Sequence, residues 1–366
     1  MARTPSRFAD SAGSGATIRD VAAGAGVSVA TVSRVFNSPE VVREETVGRV
    51  REIAQKLNYV PHLGARSLST RRTNTIGVLL PDLHGEFFSE VIRGIDSAAR
   101  GSGYHLLVSG SHSDWDEMAA MLSATRGRVD GLIVMSPDAN GKALHASLPN
   151  AVPAVLLNCP GVAGPSITID NRGGATQVMR HLGELGHRRI AFIKGPETNA
   201  DAQERLRGYR LGLARLAGGS EAIELPGDFT EAGGYAATEM ALQLEPAPTA
   251  IFAANDAMAV GAIFALREAG VNVPRQMAVV GFDDIPIASY ITPRLTTVSV
   301  DIARLGQRAL ELLLTLLGDG TSSPRNETIP TTLVVRDSCG APGRTAQRRR
   351  APPDRTAKKG RTPGVR

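Results

Sequence analysis

Cysteine is scarce in this 366-residue chain: Cys159 and Cys339 are the only two. They are too few for a disulfide framework, and neither belongs to a CxxC pair that could hold zinc. A reducing compartment therefore fits, with both thiols expected as buried spares. Aromatic residues make up only 4%. No stretch approaches the roughly 18 apolar residues of a membrane span, and the N-terminus lacks the apolar core of a secretory signal, so a cytoplasmic protein is expected. Signatures of catalysis are missing too. There is no GxSxG, no P-loop, no HExxH and no GxGxxG after a strand. His84, His105, His112, His181 and His187 show no metal-ligand spacing. The expectation is a chain that is not an enzyme and needs no metal or cofactor.

What is present looks globular, with 42% hydrophobic and 21% charged residues. At roughly 150 residues per domain, the length suggests two or three domains. The charge is unevenly divided. Residues 1–72 carry 11 basic against 6 acidic side chains, residues 73–340 carry 21 against 29, and residues 341–366 carry 9 against 1. A basic front and tail thus flank an acidic body, which suggests a polyanionic partner for the ends. The tail, from Arg344 to Arg361, has no periodicity and is expected to be disordered.

Three short helices are predicted in the front module, after a flexible leader over 1–16. Thr17-Ile18-Arg19-Asp20 reads as a capping box opening the first. Gly26-Val27 turns the chain, and Ser28 caps a second helix, Val29 to Phe36, with Val32 and Val35 facing inward. The third opens with Glu44 and Glu45 against its positive end. It places Val47, Val50, Ile53 and Leu57 on one stripe and closes at Asn58-Tyr59-Val60-Pro61. Two helices joined by a glycine turn, with a third behind them, make a helix-turn-helix.

Three stretches, Thr17-Ile-Arg-Asp-Val-Ala, Ala25-Gly-Val-Ser-Val-Ala-Thr-Val-Ser-Arg-Val-Phe-Asn37 and Leu57-Asn-Tyr-Val-Pro61, resemble the head-piece of the lac repressor (LacI/GalR) family of bacterial transcription regulators. The resemblance continues to about residue 340. It implies a DNA-binding domain over 17–62 whose second helix enters the major groove, where Val29 and Ala30 reach base edges and Arg34 can fork onto a guanine. Thr31, Ser33 and Asn37 are short polar groups suited to phosphates, and Thr17, Ser28 and Tyr59 complete this face. Val29 and Ala30 can meet a thymine methyl but cannot hydrogen-bond, so base choice there is expected to be steric. Residues 63–73, which include Ala65 and Leu68, are by the same resemblance a hinge that folds on DNA and wedges Leu68 into the minor groove. Gly64 makes that hinge helix marginal.

From Thr75 the chain alternates apolar runs with amphipathic stretches, the pattern of a parallel sheet covered by helices. Strands are predicted over 76–80, 105–108, 131–135, 154–157, 190–193, 250–253 and 277–280. Helical stripes fall at Phe88, Val91, Ile92, Ile95 and Ala99, and at Ile302, Leu305, Ala309, Leu312 and Leu316. Polar residues follow the strands: Asp82, Ser109, Ser136, Asn158, Asn255-Asp256 and Asp283-Asp284. Ligands in open α/β sheets sit beyond the strand carboxyl ends, although Asp82, Asp256 and Asp284 could equally be helix caps.

The resemblance implies an α/β body of two lobes like a periplasmic binding protein, each with a doubly wound parallel sheet. The lobes would comprise about 74–170 with 300–328, and 171–299 with 329–340, with an effector held between them. It places Arg205, Asn255 and Asp283 on effector contacts, suited to sugar hydroxyls or a purine edge. Phe87 and Phe88 stand where the family often has Phe-Phe after Asn-Pro; here Gly85-Glu86 precedes them. A solute-binding protein would share the body but not the head. A regulator explains both: a homodimer on a near-palindromic double-stranded operator, with a sugar-like effector. Control by a corepressor, such as a phosphorylated metabolite, or by a partner protein is the alternative.

Overall fold

The computed structural model describes residues 16–59, 72–112, 114–137, 141–149, 152–159, 161–216, 221–319 and 326–340. The expected hinge from residue 63 through Arg71, with Ala65 and Leu68, lies outside the described residues, as do the basic tail and most of the leader. Two compact units result, one extending to Thr75 and including Gly127–Asp130, the other comprising Ile76–Arg126 and the chain from Gly131 onward.

The first unit holds α1 (Ile18–Ala25), α2 (Val29–Asn37) and α3 (Glu44–Lys56). The capping box is present: Thr17 N donates to Asp20 Oδ2 at 2.8 Å, while Thr17 Oγ1 accepts from Asp20 N. Gly26 adopts the left-handed conformation, φ 65°, that ends α1 without a Cβ penalty. Ser28 Oγ then accepts from Thr31 N at 3.1 Å and starts α2. Val21, Ala25, Val32, Val35 and Val50 form a small core. The stripe of α3 differs from expectation at its end. Leu57 is 40% exposed, whereas Ala54 is buried, because the helix stops at Lys56 and Leu57 has left its periodicity. Beyond the segment expected to be the hinge, Asp130 Oδ1 accepts from Thr73 N at 2.6 Å and Oδ2 from Asn74 N at 2.8 Å.

In the second unit, β1 (Thr75–Leu80), β2 (His105–Gly110), β3 (Gly131–Met135), β4 (Ala154–Leu157), β5 (Ser166–Ile169) and β11 (Asn326–Ile329) form one sheet in the order β11-β5-β4-β3-β1-β2. The β1–β3, β3–β4, β4–β5 and β5–β11 pairs are parallel, with Val78 opposite Ile133. A second parallel sheet has the order β7-β6-β8-β9, from β6 (Ile190–Ile193), β7 (Ile223–Leu225), β8 (Ala250–Ala253) and β9 (Ala278–Val280). A short antiparallel pair, β10 (Thr297–Ser299) with β12 (Thr332–Val334), lies where the chain passes between the sheets.

The helices α4 (Glu86–Gly101), α5 (Trp115–Ala124), α6 (Gly141–Ser147), α7 (Asn171–Glu184), α8 (Ala200–Leu213), α9 (Glu231–Leu242), α10 (Asp256–Glu268) and α11 (Ile302–Asp319) alternate with the strands. β1, β3, β4, β6 and β8 are buried apolar runs, as strands covered on both faces require, whereas β5 alternates buried and half-buried residues. α4 and α11 cross closely at Gly94, where a Cβ would stand 1.9 Å from the Ala303 carbonyl oxygen. Both cysteines are buried and free, and burial pushes the Cys159 thiol up to about 12.

Candidate functional site

On the head, α2 buries Val32 and Val35 and therefore turns the rest of its surface outward. Ser28, Val29, Ala30 and Arg34 are exposed, Val29 by 42%, and Thr31, Ser33 and Asn37 are half-buried. Arg34 has no ion pair among the described residues. Asn37 Nδ2 donates to Ser33 Oγ at 3.2 Å, and Ser28 Oγ lies 2.9 Å from Thr31 Oγ1. Thr17 is exposed at the start of α1, and Tyr59 is half-buried with its ring centroid 5.9 Å from that of Phe36. The face that results is small, mixes short polar groups with Val29 and Ala30, and is led by one arginine.

In the body, the parallel strands of both sheets deliver polar groups to their carboxyl ends, and the two sets meet. Arg205 is the centre. It lies on α8, whose register is fixed one turn later by Tyr209: that ring stacks 5.0 Å from Phe192, and its hydroxyl donates to Ile190 O at 2.9 Å. Arg205 is 3% exposed. Its Nε donates to Asn171 Oδ1 at 2.8 Å and its Nη1 to Ala254 O at 2.6 Å, and Nη2 lies 2.8 Å from Asp283 Oδ1. The guanidinium also sits 4.0 Å from the centroid of the Phe282 ring, a cation–π contact. The Arg205–Asp283 contact is an ion pair without hydrogen-bond alignment, so Asp283 Oδ1 keeps its accepting capacity. Burial raises the Asp283 carboxyl to about 6, with the Arg205 charge opposing.

Backbone strain marks the same place. Asp283 and Asp284 have φ of 109° and 60°, and Asn158 has φ 48°, values that non-glycine residues adopt rarely and mostly where function or packing holds them. Asn158, 3% exposed after β4, donates from Nδ2 to Asp201 Oδ2 at 2.8 Å, while Asn171 Nδ2 donates to Asp201 Oδ1 at 2.8 Å. The Oδ1 of Asn158 has no hydrogen-bond partner among the described residues. Two further bonds join the sheets' loops: Ala200 N donates to Pro137 O at 3.1 Å, and Ile287 N donates to Glu86 Oε2 at 2.9 Å.

Of the body residues singled out from sequence, Asn158, Arg205 and Asp283 come together. Asn255, half-buried, follows Ala254, whose carbonyl binds Arg205. It caps α10, accepting from Met258 N at 3.0 Å, and donates to Phe229 O at 3.0 Å. Asp82 is exposed, and its Oδ1 accepts from Leu83 N and His84 N. Phe87 and Phe88 are half-buried and meet edge to face at 5.5 Å. Asp256 and Asp284 are not caps. Asp256 is fully buried, accepting from Ile285 N and Thr297 Oγ1, and Asp284 pairs with Arg336 at 2.7 Å. Asn171 and Asp201 were not expected here. Each sits in the first turn of a helix, where short polar residues are common, so their types alone carried no distinguishing signal. A cavity of about 350 Å³ between α7 and α8, lined partly by Arg180, Arg188 and Arg215, shares none of these residues.

Residues 17–62 match the family profile described as bacterial regulatory proteins, lacI family, and residues 179–339 match the periplasmic binding protein-like domain. The transcriptional regulator GalR of Salmonella typhimurium is 36% identical over 334 residues, 89% of this chain and 97% of that protein. The ribose operon repressor of Escherichia coli is 35% identical over 329 residues, 88% and 99% of the two chains. Among solved structures, the lac repressor dimer bound to operator and an anti-inducer superposes with a TM-score of 0.80 at 33% identity, covering 89% of this chain and 99% of that one. A lacI-family regulator from Enterococcus faecium with bound ribose gives a TM-score of 0.66 at 29% identity, covering 72% and 98%. No helix among the described residues is long and apolar enough to cross a membrane. With a helix-turn-helix at its front and such relatives along nearly all its length, the chain belongs to the lacI family of bacterial regulatory proteins and is a DNA-binding regulator of transcription.

Proposed function

We propose that the protein is a cytoplasmic, homodimeric repressor of a catabolic or transport operon. It binds a near-palindromic operator through α2 and releases it when a small sugar-like effector enters between the lobes 74–170 with 300–328 and 171–299 with 329–340. The observation that carries this reading is the buried Arg205, tied to Asn171, Ala254 and Asp283 where the strand ends of both sheets converge. An arginine, a carboxylate and an amide with open acceptors suit vicinal hydroxyls. Solved regulators of similar structure with bound ribose or cellobiose support the same class. Inducer and operator are coupled by linkage: a ligand that favours a lobe arrangement unsuited to paired hinges weakens DNA binding by the factor by which DNA weakens the ligand.

The test is a titration of operator DNA with and without ribose, galactose and cellobiose. At least one sugar is expected to lower operator affinity, by about 5- to 150-fold. Asp283→Ala is expected to leave operator binding nearly intact and to abolish that response. Tighter operator binding with a sugar would make it a corepressor, and equal affinities throughout would remove the coupling.

A further inference from the structure

Asp201, in the first turn of α8, orients two buried amides. A carboxylate only accepts hydrogen bonds, so each amide that touches it must turn its NH2 group inward. Asn158 and Asn171 do so, each at 2.8 Å, on separate oxygens of Asp201. The carbonyl this leaves on Asn171 is engaged by Arg205 Nε. The one left on Asn158 faces away from Asp201 without a hydrogen-bond partner among the described residues, while Asp283 Oδ1, 2.8 Å from Arg205 Nη2, keeps a further lone pair that can accept. Buried polar atoms in native proteins nearly always have partners, and both of these atoms accept. What they need is a molecule that donates.

Charge points the same way. Asp283 is paired with Arg205, whose three nitrogens are directed to Asn171, Ala254 and Asp283, and Asp201 adds a second carboxylate through its bonds to Asn158 and Asn171. Arg336, beside them, is paired with Asp284. An anion arriving here meets two carboxylates and a guanidinium already committed. Like charges repel most strongly at the buried Asp283 and less at the half-buried Asp201, and such repulsion is how a site rejects the wrong ligand.

On the reading that this junction holds the effector, we propose that Asp201 is a specificity-determining residue. By fixing the Asn158 amide, it sets the site for a neutral, polyhydroxylated molecule that donates O–H hydrogens to Asn158 Oδ1 and Asp283 Oδ1, and against phosphorylated or carboxylated ones. Asparagine at position 201 would remove the constraint. A neutral amide offers both a donor and an acceptor, so Asn158 could flip and present its NH2 group to a ligand oxygen.

Thermal shift followed by calorimetry tests this on the full chain, with neutral mono- and disaccharides including ribose, galactose and cellobiose, and with phosphate esters including ribose 5-phosphate and galactose 1-phosphate. A neutral sugar is expected to stabilise the protein and its ester not to. Asp201→Asn is expected to weaken that sugar by about tenfold or more, the loss of one good hydrogen bond to a buried group. It is also expected to narrow the sugar-to-ester ratio by a similar factor, a change that mere loss of stability would not produce. Should that variant not fold, Asn158→Ala is expected to lose the sugar about tenfold without gaining the ester. An ester preferred by the unaltered protein overturns the specificity while leaving the effector reading intact, and sugar binding within twofold in Asp201→Asn overturns the role of Asp201. No response to any sugar or ester, in stability or in operator affinity, removes the effector reading and this inference together.

Discussion

Arg205 Nη2 and Asp283 Oδ1 lie 2.8 Å apart with less than a tenth of either side chain exposed, and they come from α8 and from the loop after β9. Two charges removed from water this completely stabilise each other only while both remain. The contact therefore joins a helix and a loop of the β6–β9 lobe at the point where the other lobe's Asn158 arrives through Asp201.

Removing one charge of that pair is expected to be costly. Arg205→Ala strands Asp283 and the Asn171 carbonyl, at about 3 to 5 kcal/mol, the usual result of breaking a buried ion pair. The double variant Arg205→Met, Asp283→Leu is expected to cost less than the sum of its singles by more than about 1 kcal/mol. Urea titrations of the four proteins give the cycle, and simple additivity would show that the pair does not interact.

Asp256 gives a prediction in pH. It is fully buried, and desolvation with repulsion from Asp283 holds its carboxyl well above the usual range, in spite of hydrogen bonds from Thr297 and Ile285. A raised folded-state pKa means the folded protein binds the proton more tightly than the unfolded chain. This group's contribution is therefore most favourable below the unfolded value of 3.8 and is lost as pH rises toward the folded one. Asp256→Asn, which cannot titrate, is expected to gain melting temperature relative to the parent as pH goes from 5 to 8. A difference that is flat over that range contradicts the raised pKa.

Arg34 is the one long cationic side chain on the outward face of α2, and its neighbours Val29 and Ala30 cannot hydrogen-bond to bases. Arg34→Ala is expected to lose about 1 to 3 kcal/mol of operator affinity and to relax preference at one base pair in each half-site. Fluorescence anisotropy against single-base variants of the operator measures both. An unchanged base profile would move recognition to another element.

Leu68, in the segment expected to be the hinge, is predicted to act as a wedge between base pairs. Leu68→Ala is then expected to leave folding and self-association unchanged while reducing both DNA bending and specific affinity, with non-specific binding little altered. Gel shifts on circularly permuted fragments report the bend, and a full bend in the variant would exclude the wedge.

Interactions local in sequence were legible without the fold. The Thr17–Asp20 capping box, the Gly26 turn and the Ser28 cap are settled within four residues, and the burial of α2 follows from a 3.6-residue period. The long apolar runs of β1, β3, β4, β6 and β8 announced themselves because a strand covered on both faces must be apolar throughout. Shorter strands such as β5, β10 and β12 did not, since three or four residues of mixed polarity carry little pattern and are held by partners far along the chain. The polar residues at the strand ends were visible as a set, but their assignments belong to the tertiary structure. Asn255 and Asp201 are both short polar residues at a helix start, and only packing decides that one caps α10 while the other turns two asparagines. A side chain's polar contacts are set by whichever charged or polar groups folding brings within 3 Å, and for Arg205 those lie 34, 49 and 78 residues away in the chain.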